Sequence, residues 1–262
     1  EAELEAYWAE ARKKSKPAGY IPEPEQLALA ESQDETLDDP SHHGTILGQM
    51  HLDLARYHEL GRFTREEAPQ SEYDRAAAWF HLDIAANCGC LEAILTVARI
   101  YLDLPHDLLK EFAMERDDDN VDQGLDMMQQ AANFGDKSAL LFMADAFESG
   151  APLGSSRQRS WLKASQLYQK AIDLAEAETD ESEEALERPI HQVKAKMANM
   201  YRLGGWGLEK DPNRAGELYN EAAEGAMEAL KGKLANSYYM LAEECFGEVE
   251  EEDDDADDAT EE

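Results

Sequence analysis

The chain has 262 residues, of which 43% are hydrophobic and 31% are charged, and its formal net charge is −34. This excess of acids argues against a nucleic acid or an anionic membrane as the partner, because an acidic surface repels phosphate groups. A basic protein partner fits the charge better. Part of the charge lies in the run from Glu248 to Glu262, but the rest of the chain is acidic as well.

Alanine, leucine and glutamate dominate the composition, while valine, isoleucine and threonine are sparse, which favours an all-α fold. The three cysteines, Cys88, Cys90 and Cys245, are too few for a disulfide framework and leave no second pair for a zinc site. No stretch approaches 18 apolar residues, and the N-terminus lacks the apolar core of a signal peptide. We therefore expect a reducing, cytoplasmic location.

The first 40 residues show no repeat. The amphipathic stretches Leu4–Lys14 and Pro24–Leu37 predict two helices, separated by a segment that contains proline and glycine. We expect residues 1–40 to form a helical or linker segment. A repeat domain is expected to follow at 41–247.

Four apolar residues at helical spacing predict the next helix, which Gly61 ends and which is either a solitary second helix or a cap of the array. These residues are Ile46, Met50, Leu54 and Tyr57.

Four histidines raise the question of a metal site: His42, His43, His51 and His58. Only His51 and His58 share a helix face, and no third ligand completes a tetrahedral set at a convincing spacing. We therefore expect no metal ion and no cofactor.

A motif of paired alanines recurs along the chain. Ala85-Ala86-Asn87-Cys88-Gly89 is followed by Ala93, Ala98 and Tyr101. At an offset of 46 residues, Ala131-Ala132-Asn133-Phe134-Gly135 is followed by Ala139, Ala144 and Phe147. A third copy reads Ala222-Ala223-Glu224-Gly225-Ala226, followed by Leu230, Ala235 and Tyr238. Self-similarity of this kind predicts an array of stacked units.

Each copy predicts a helical hairpin. A first helix at Ala76–Cys88 places its apolar residues on one stripe, and a second helix follows at about Leu91–Leu102. Gly89 ends the first helix, because glycine adopts the left-handed conformation most easily. We expect Cys88 and Cys90 to belong to this turn rather than to form a redox pair.

The segment Met197–Ala215 predicts the clearest junction between hairpins. The helix Ile190–Leu203 ends at glycines, and Asp211 caps the next helix with Pro212 in its first turn. This pattern resembles the Sel1-like repeats, which are related to the tetratricopeptide repeats. The resemblance implies an α-solenoid of antiparallel helix hairpins.

Two strings resemble the C-terminal repeat domain of the eukaryotic elongation factor 2 kinases, which are calmodulin-activated α-kinases. They are Gly48–Phe63, GQMHLDLARYHELGRF, and Trp206–Phe246, WGLEKDPNRAGELYNEAAEGAMEALKGKLANSYYMLAEECF. The resemblance implies a non-catalytic module that recruits elongation factor 2 for threonine phosphorylation, with the terminal helix Met227–Phe246 important for engagement. It implies the parent kinase domain as a partner in cis and leaves a direct contact with calmodulin open.

Six residues are candidates for partner binding: Tyr239, Phe246, Tyr238, Trp206, Lys231 and Lys233. The terminal helix of a repeat array has one face without a neighbour, where aromatic side chains stay uncovered. Tyr239 and Phe246 are the better candidates, since Tyr238 occupies the aromatic core position of the repeat. The alternative for Trp206 is packing on the following helix, and the alternative for the lysines is simple solvation.

The second interpretation is a stand-alone Sel1-like adaptor with an unrelated partner. An α-kinase domain before Glu1 would exclude it. An enzyme in its own right is disfavoured, because no kinase motif, no nucleophile with its base and no paired-carboxylate pocket stands out. The acidic run at 248–262 is expected to be a disordered tail.

Overall fold

The computed structural model describes residues 45–62, 74–110, 112–114, 117–177 and 188–258, with side chains up to Val249. In these ranges the regular structure is helical, apart from one isolated bridge between Gly205 and Leu208. In chain order the helices are α1 (Ile46–Glu59), α2 (Arg75–Asn87), α3 (Leu91–Tyr101), α4 (Asp118–Asn133), α5 (Lys137–Ser149), α6 (Trp161–Ala177), α7 (Ile190–Leu203), α8 (Pro212–Glu228) and α9 (Gly232–Asp258). The predicted all-α class is confirmed here. The two helices predicted before residue 41 lie outside the described residues.

The chain divides into two compact units, residues 1–127 and 128–262, and the division falls within α4. In the first unit, α2 packs on α1 before it and on α3 after it. In the second unit, α5 to α9 pack one on the next in the same sequential way. Contacts between successive helices are what an array of hairpin repeats requires.

Helix α1 packs closely against the start of the next hairpin. Thr45 caps α1, because its side-chain oxygen accepts a hydrogen bond from the backbone nitrogen of Gly48 at 3.1 Å. A Cβ atom at Gly48 would lie only 2.9 Å from the Cβ atom of Cys88, so no larger residue fits there. The buried side of α1 also carries Leu47 and Ala55.

The helix predicted from the spacing of Ile46, Met50, Leu54 and Tyr57 is present as α1, but these residues do not form its buried side. Ile46, Met50 and Tyr57 are each at least 41% exposed. A second stripe on the same helix, which includes Gly48 and Ala55, is the one that packs on α2. Small residues let two helix backbones approach closely, and the spacing of the larger apolar residues does not reveal which stripe does so.

Helices α2 and α3 form the predicted hairpin. Gly89 lies between them with φ of +82°, in the left-handed region. Cys88 is the C-cap residue of α2, and Cys90 is the N-cap residue of α3. Both thiols are free. Their predicted place in a helix-end turn is confirmed.

A charged network joins α5, α6 and α7 in the second unit. Asp145 accepts hydrogen bonds from Arg188 at 2.7 Å, from Lys196 at 2.7 Å and from the Tyr168 hydroxyl. Lys196 also bonds Glu148 at 2.7 Å. Burial alone would raise the pKa of Asp145, but the bonds from Arg188, Lys196 and Tyr168 outweigh burial and lower it to about 2. The carboxylate therefore stabilises the fold in its charged form.

The third copy of the repeat turns later than the sequence predicts. Helix α8 continues past Ala226 to Glu228, and the left-handed residue is Leu230, with φ of +57°. Without a glycine at position 226, the first helix simply adds another turn. The predicted terminal helix Met227–Phe246 is therefore wrong at its start, since α9 begins at Gly232.

Helix α9 also ends later than expected. The sequence predicts a disordered tail from residue 248, whereas α9 continues to Asp258. At the start of that segment, Glu248 forms ion pairs with Arg202 at 3.1 Å and with Lys210 at 3.2 Å. These two cations offset the charge of Glu248, the first acid of the run.

Replacing Leu230 with glycine is expected to raise the free energy of unfolding by about 0.5–1 kcal/mol, because a left-handed backbone strains any residue with a Cβ atom. The Leu230 side chain is 93% exposed, so little burial is lost. Urea unfolding measures the effect. Leu60→Gly is the matched control: Leu60 is also exposed but has φ of −74°, so this change should destabilise. Equal destabilisation by both substitutions would contradict the prediction.

The low pKa of Asp145 predicts an acid-sensitive second unit. A carboxylate whose folded pKa lies below the ordinary 3.8 stabilises the fold above that value and loses the contribution as the pH falls toward 2. We expect about 1–2 kcal/mol, discounted because the side chain is about one-third exposed. The wild type and Asp145→Asn should differ most in urea unfolding at neutral pH and converge near pH 2. A constant difference would rule the account out.

Candidate partner-binding site

Helix α9 is the last helix of the second unit, and its sides differ sharply. Its inner side carries Ala235, Ala242 and Cys245, which are buried against α8. The opposite side has no helix packed on it in the part of the chain that the structure describes. An uncovered helix face at the end of a repeat array is available to a partner.

The outer side of α9 combines apolar and basic groups. Met240 is 63% exposed and lies two helical turns from Lys233, on the same side of the helix. Tyr239, exposed as well, flanks them. Lys233 forms no ion pair with any residue in the described ranges. We call Lys233, Tyr239 and Met240 the terminal face.

Two of the predicted aromatic residues pack within the second unit. The ring of Tyr238 stacks on that of Tyr219, with 6.3 Å between centroids, and packs against Ala223 and Ala226. The ring is partly buried at the aromatic position of the repeat. Phe246 lies over Gly216 of α8, where a Cβ atom would come within 2.6 Å of the ring. Phe246 therefore supports the α8–α9 contact.

Trp206 lies in the turn between α7 and α8, with φ of +50°. Its backbone oxygen accepts a hydrogen bond from the backbone nitrogen of Trp161 at 3.0 Å. The guanidinium of Arg159 lies 4.5 Å from the centre of the indole, a cation–π contact. The indole remains 54% exposed. Trp206 is thus held in place while still facing solvent.

Lys231 belongs to the turn before α9, apart from the terminal face. Its Nζ atom lies 3.5 Å from the Nε2 atom of His191 on α7. Burial, and then the charge of Lys231, lower the pKa of His191. The neutral ring at ordinary pH leaves the Lys231 charge uncompensated, so both candidate lysines present positive charge beside α9.

A groove of roughly 600 Å³ lies between α7 and α9. Leu234, Tyr238 and Leu241 form its apolar side, and polar residues of α7 face them. The α7 residues of this groove were not predicted, although Gln192, Lys196 and Asn199 follow a helical spacing of four and three. That polar stripe on α7 was the available signal.

The described residues contain no single helix that is long and apolar enough to span a membrane. One bent pair, α2 with α3, meets the criteria of length and composition when the two helices are taken together. Across the described ranges, no set of three or more histidine, cysteine or acidic side chains has the geometry to hold a metal ion.

The helices and their contacts define the class: the described chain is all-α, and within each unit its helices pack one on the next. Over most of its length it is similar to one part of the eukaryotic elongation factor 2 kinases. It is 40% identical to the kinase of Caenorhabditis elegans, over 94% of this chain and 38% of that protein. It is 40% identical to the human kinase, over 88% of this chain and 32% of that protein.

The sequence resemblance to these kinases is thereby confirmed, and the chain spans about a third of the length of the curated relatives it matches. No protein-family profile matches the chain.

Two solved structures align over 75% of the chain. One is a Sel1 repeat protein from Oxalobacter formigenes, with a TM-score of 0.42, 17% identity and 72% of that chain covered. The other is c5321, a protective antigen of uropathogenic Escherichia coli with an SLR fold, with a TM-score of 0.41, 15% identity and 34% of that chain covered. These alignments are too loose to add to the helix contacts described above.

The contact between Phe246 and Gly216 predicts a non-additive pair of substitutions. Gly216→Ala should destabilise the second unit by about 1–3 kcal/mol, because the new methyl group collides with the ring. In the Phe246→Ala background the same change should cost much less, since the ring is gone. Urea unfolding of the two single variants and the double variant measures this coupling. Additive losses would show that Phe246 does not pack there.

Proposed function

We propose that this chain is a non-catalytic docking and regulatory domain of an elongation factor 2 kinase, and that it recruits elongation factor 2 for threonine phosphorylation. The observation that carries the proposal is the terminal face, an exposed apolar and basic surface on the last helix of the second unit. The similarity to a third of the kinase supports it, since the chemistry then belongs to the rest of that protein.

The terminal face has the composition of a protein-binding hot spot. Tyr239 and Met240 offer exposed apolar area, and tyrosine is among the residues that most often carry binding energy. Lys233 and Lys231 add positive charge to a chain whose net charge is −34. A partner surface that pairs an apolar pocket with acidic residues would meet attraction here and repulsion over most of the remaining surface. The charge distribution thus favours one docking orientation.

Docking assists phosphorylation by raising the effective concentration of elongation factor 2 at the kinase domain. Once elongation factor 2 is bound to a domain tethered to the kinase, presentation of its threonine becomes intramolecular. The parent kinase domain is then the partner in cis. Docking leaves the phosphoryl-transfer step itself unchanged. Through the phosphorylation of elongation factor 2, it would regulate translation elongation in the cytoplasm.

The test is made in the complete kinase. Tyr239→Ala combined with Met240→Ala should lower kcat/KM for phosphorylation of elongation factor 2 by about tenfold or more, because hot-spot residues each contribute at least 1 kcal/mol. Phosphorylation of a short peptide substrate, which needs no docking, should stay within about twofold of the wild type.

The matched control uses the exposed pair of the first unit, Met50→Ala with Tyr57→Ala, which removes the same side-chain types from another surface. This pair should phosphorylate both substrates normally. Equal loss on both substrates in the α9 variant, or an equal loss in the control pair, would overturn the proposal.

A further inference from the structure

Three buried histidines meet between α1 and α2. His51 and His58 lie on α1 and His81 lies on α2, and none is more than 4% exposed. The Nδ1 atoms of His51 and His81 are 2.8 Å apart, which is a hydrogen bond. The His58 ring stacks on that of His81, with 5.3 Å between centroids. The sequence shows only the two residues of α1 on one face, since His81 joins them through helix packing.

The contact between His51 and His81 fixes the number of protons that the pair can hold. One Nδ1 donates its proton and the other accepts it, so the accepting ring carries its own proton on Nε2. A second added proton would make both Nδ1 atoms donors, and the hydrogen bond would be lost. Neither Nε2 atom of this pair has a hydrogen-bond partner in the described part of the chain. The site therefore accommodates neutral rings.

In the part of the chain that the structure describes, no acid compensates a positive charge on these two rings. The charged side chains on the helices around them are Asp53, Arg56 and Glu59 on α1, Arg75 and Asp83 on α2, and Glu92 and Arg99 on α3. Arg56 bonds Asp53 at 3.2 Å and Glu92 at 2.5 Å, and Asp83 bonds Asn87 at 3.3 Å. Among residues in the described ranges, none of these charged groups is hydrogen-bonded to His51 or His81.

The pKa shifts agree with this geometry. Burial lowers the pKa of His51. Burial, followed by the charges of His51 and His58, lowers the pKa of His81 from 6.5 to about 3. Because the folded pKa lies below the unfolded one, the stabilising contribution is complete above pH 6.5 and is lost as the pH falls toward 3.

We propose that His51 and His81, with the His58 ring stacked on His81, form an acid-operated latch in which the His51–His81 pair is the group that titrates, and that the latch releases α1 from α2 at mildly acidic pH. A first added proton places uncompensated charge among apolar side chains, and a second breaks the hydrogen bond between the two helices. Release of α1 uncovers Leu47 and Leu52 together with Leu82 of α2, all of which are buried in the closed hairpin. The latch acts on α1 and α2 of the first unit.

Hydrogen exchange of the complete chain tests the latch. At pH 5.5 an imidazole with the ordinary pKa of 6.5 is protonated about ten times as often as not. A histidine that must stay neutral in the fold therefore makes opening about tenfold more favourable. Between pH 7.5 and 5.5, the protection of α1 and α2, corrected for intrinsic exchange rates, should fall by about tenfold or more, while that of α8 should change far less. Unchanged protection of α1 would overturn the proposal.

Two variants separate the latch from general acid sensitivity. His51→Gln combined with His81→Gln keeps polar side chains that cannot gain a proton, so the pH dependence of α1 protection should disappear. His191→Gln, in the second unit, should keep it. If the double variant does not fold, NMR titration of the wild-type imidazoles decides the matter. Titration of His51 and His81 near pH 6.5, or a pH dependence that persists in the double variant, would refute the latch.

Discussion

Close approach of helix backbones is the constraint on which the rest of this structure depends. Alanines fill the contacts of both units, and many are fully buried, including Ala78, Ala93, Ala144 and Ala222. At Gly48 and Gly216 even one added methyl group would collide with a neighbour. Dense packing of this kind leaves little freedom in how a helix is rotated. It explains why α1 buries its small stripe and exposes its larger apolar residues.

Tight packing also determines which charge state of an enclosed polar group is stable. In the second unit, Asp145 accepts hydrogen bonds from two cations and a tyrosine hydroxyl, so its charged form is the stable one. In the first unit, His51 and His81 are hydrogen-bonded to each other, and their neutral forms are the stable ones. The two units thus respond to acid in separate pH ranges and for opposite electrostatic reasons.

Local signals in the sequence predict the helices well. The observed bounds of the helix Ile190–Leu203 equal the predicted ones. The cap at Asp211 and the turn at Gly89 also lie where the local sequence predicts them. Features that depend on how helices pack could not be predicted in this way. They include the later turn at Leu230, the arrival of His81 beside α1 and the polar side of the groove. The aromatic candidates show the same limit, since only packing separates Phe246, which supports α8, from Tyr239, which faces solvent.

The ion pairs at Glu248 make the far part of α9 sensitive to ionic strength. Glu248 begins an acidic run, and like charges three or four residues apart on a helix repel each other, so the run needs nearby cations. Arg202 and Lys210 provide that counter-charge from α7 and from the loop that follows it. Dissolved salt screens such half-exposed pairs within a Debye length of about 10 Å at 0.1 M. The electrolyte around the chain is therefore one of the factors that determine how long its last helix is.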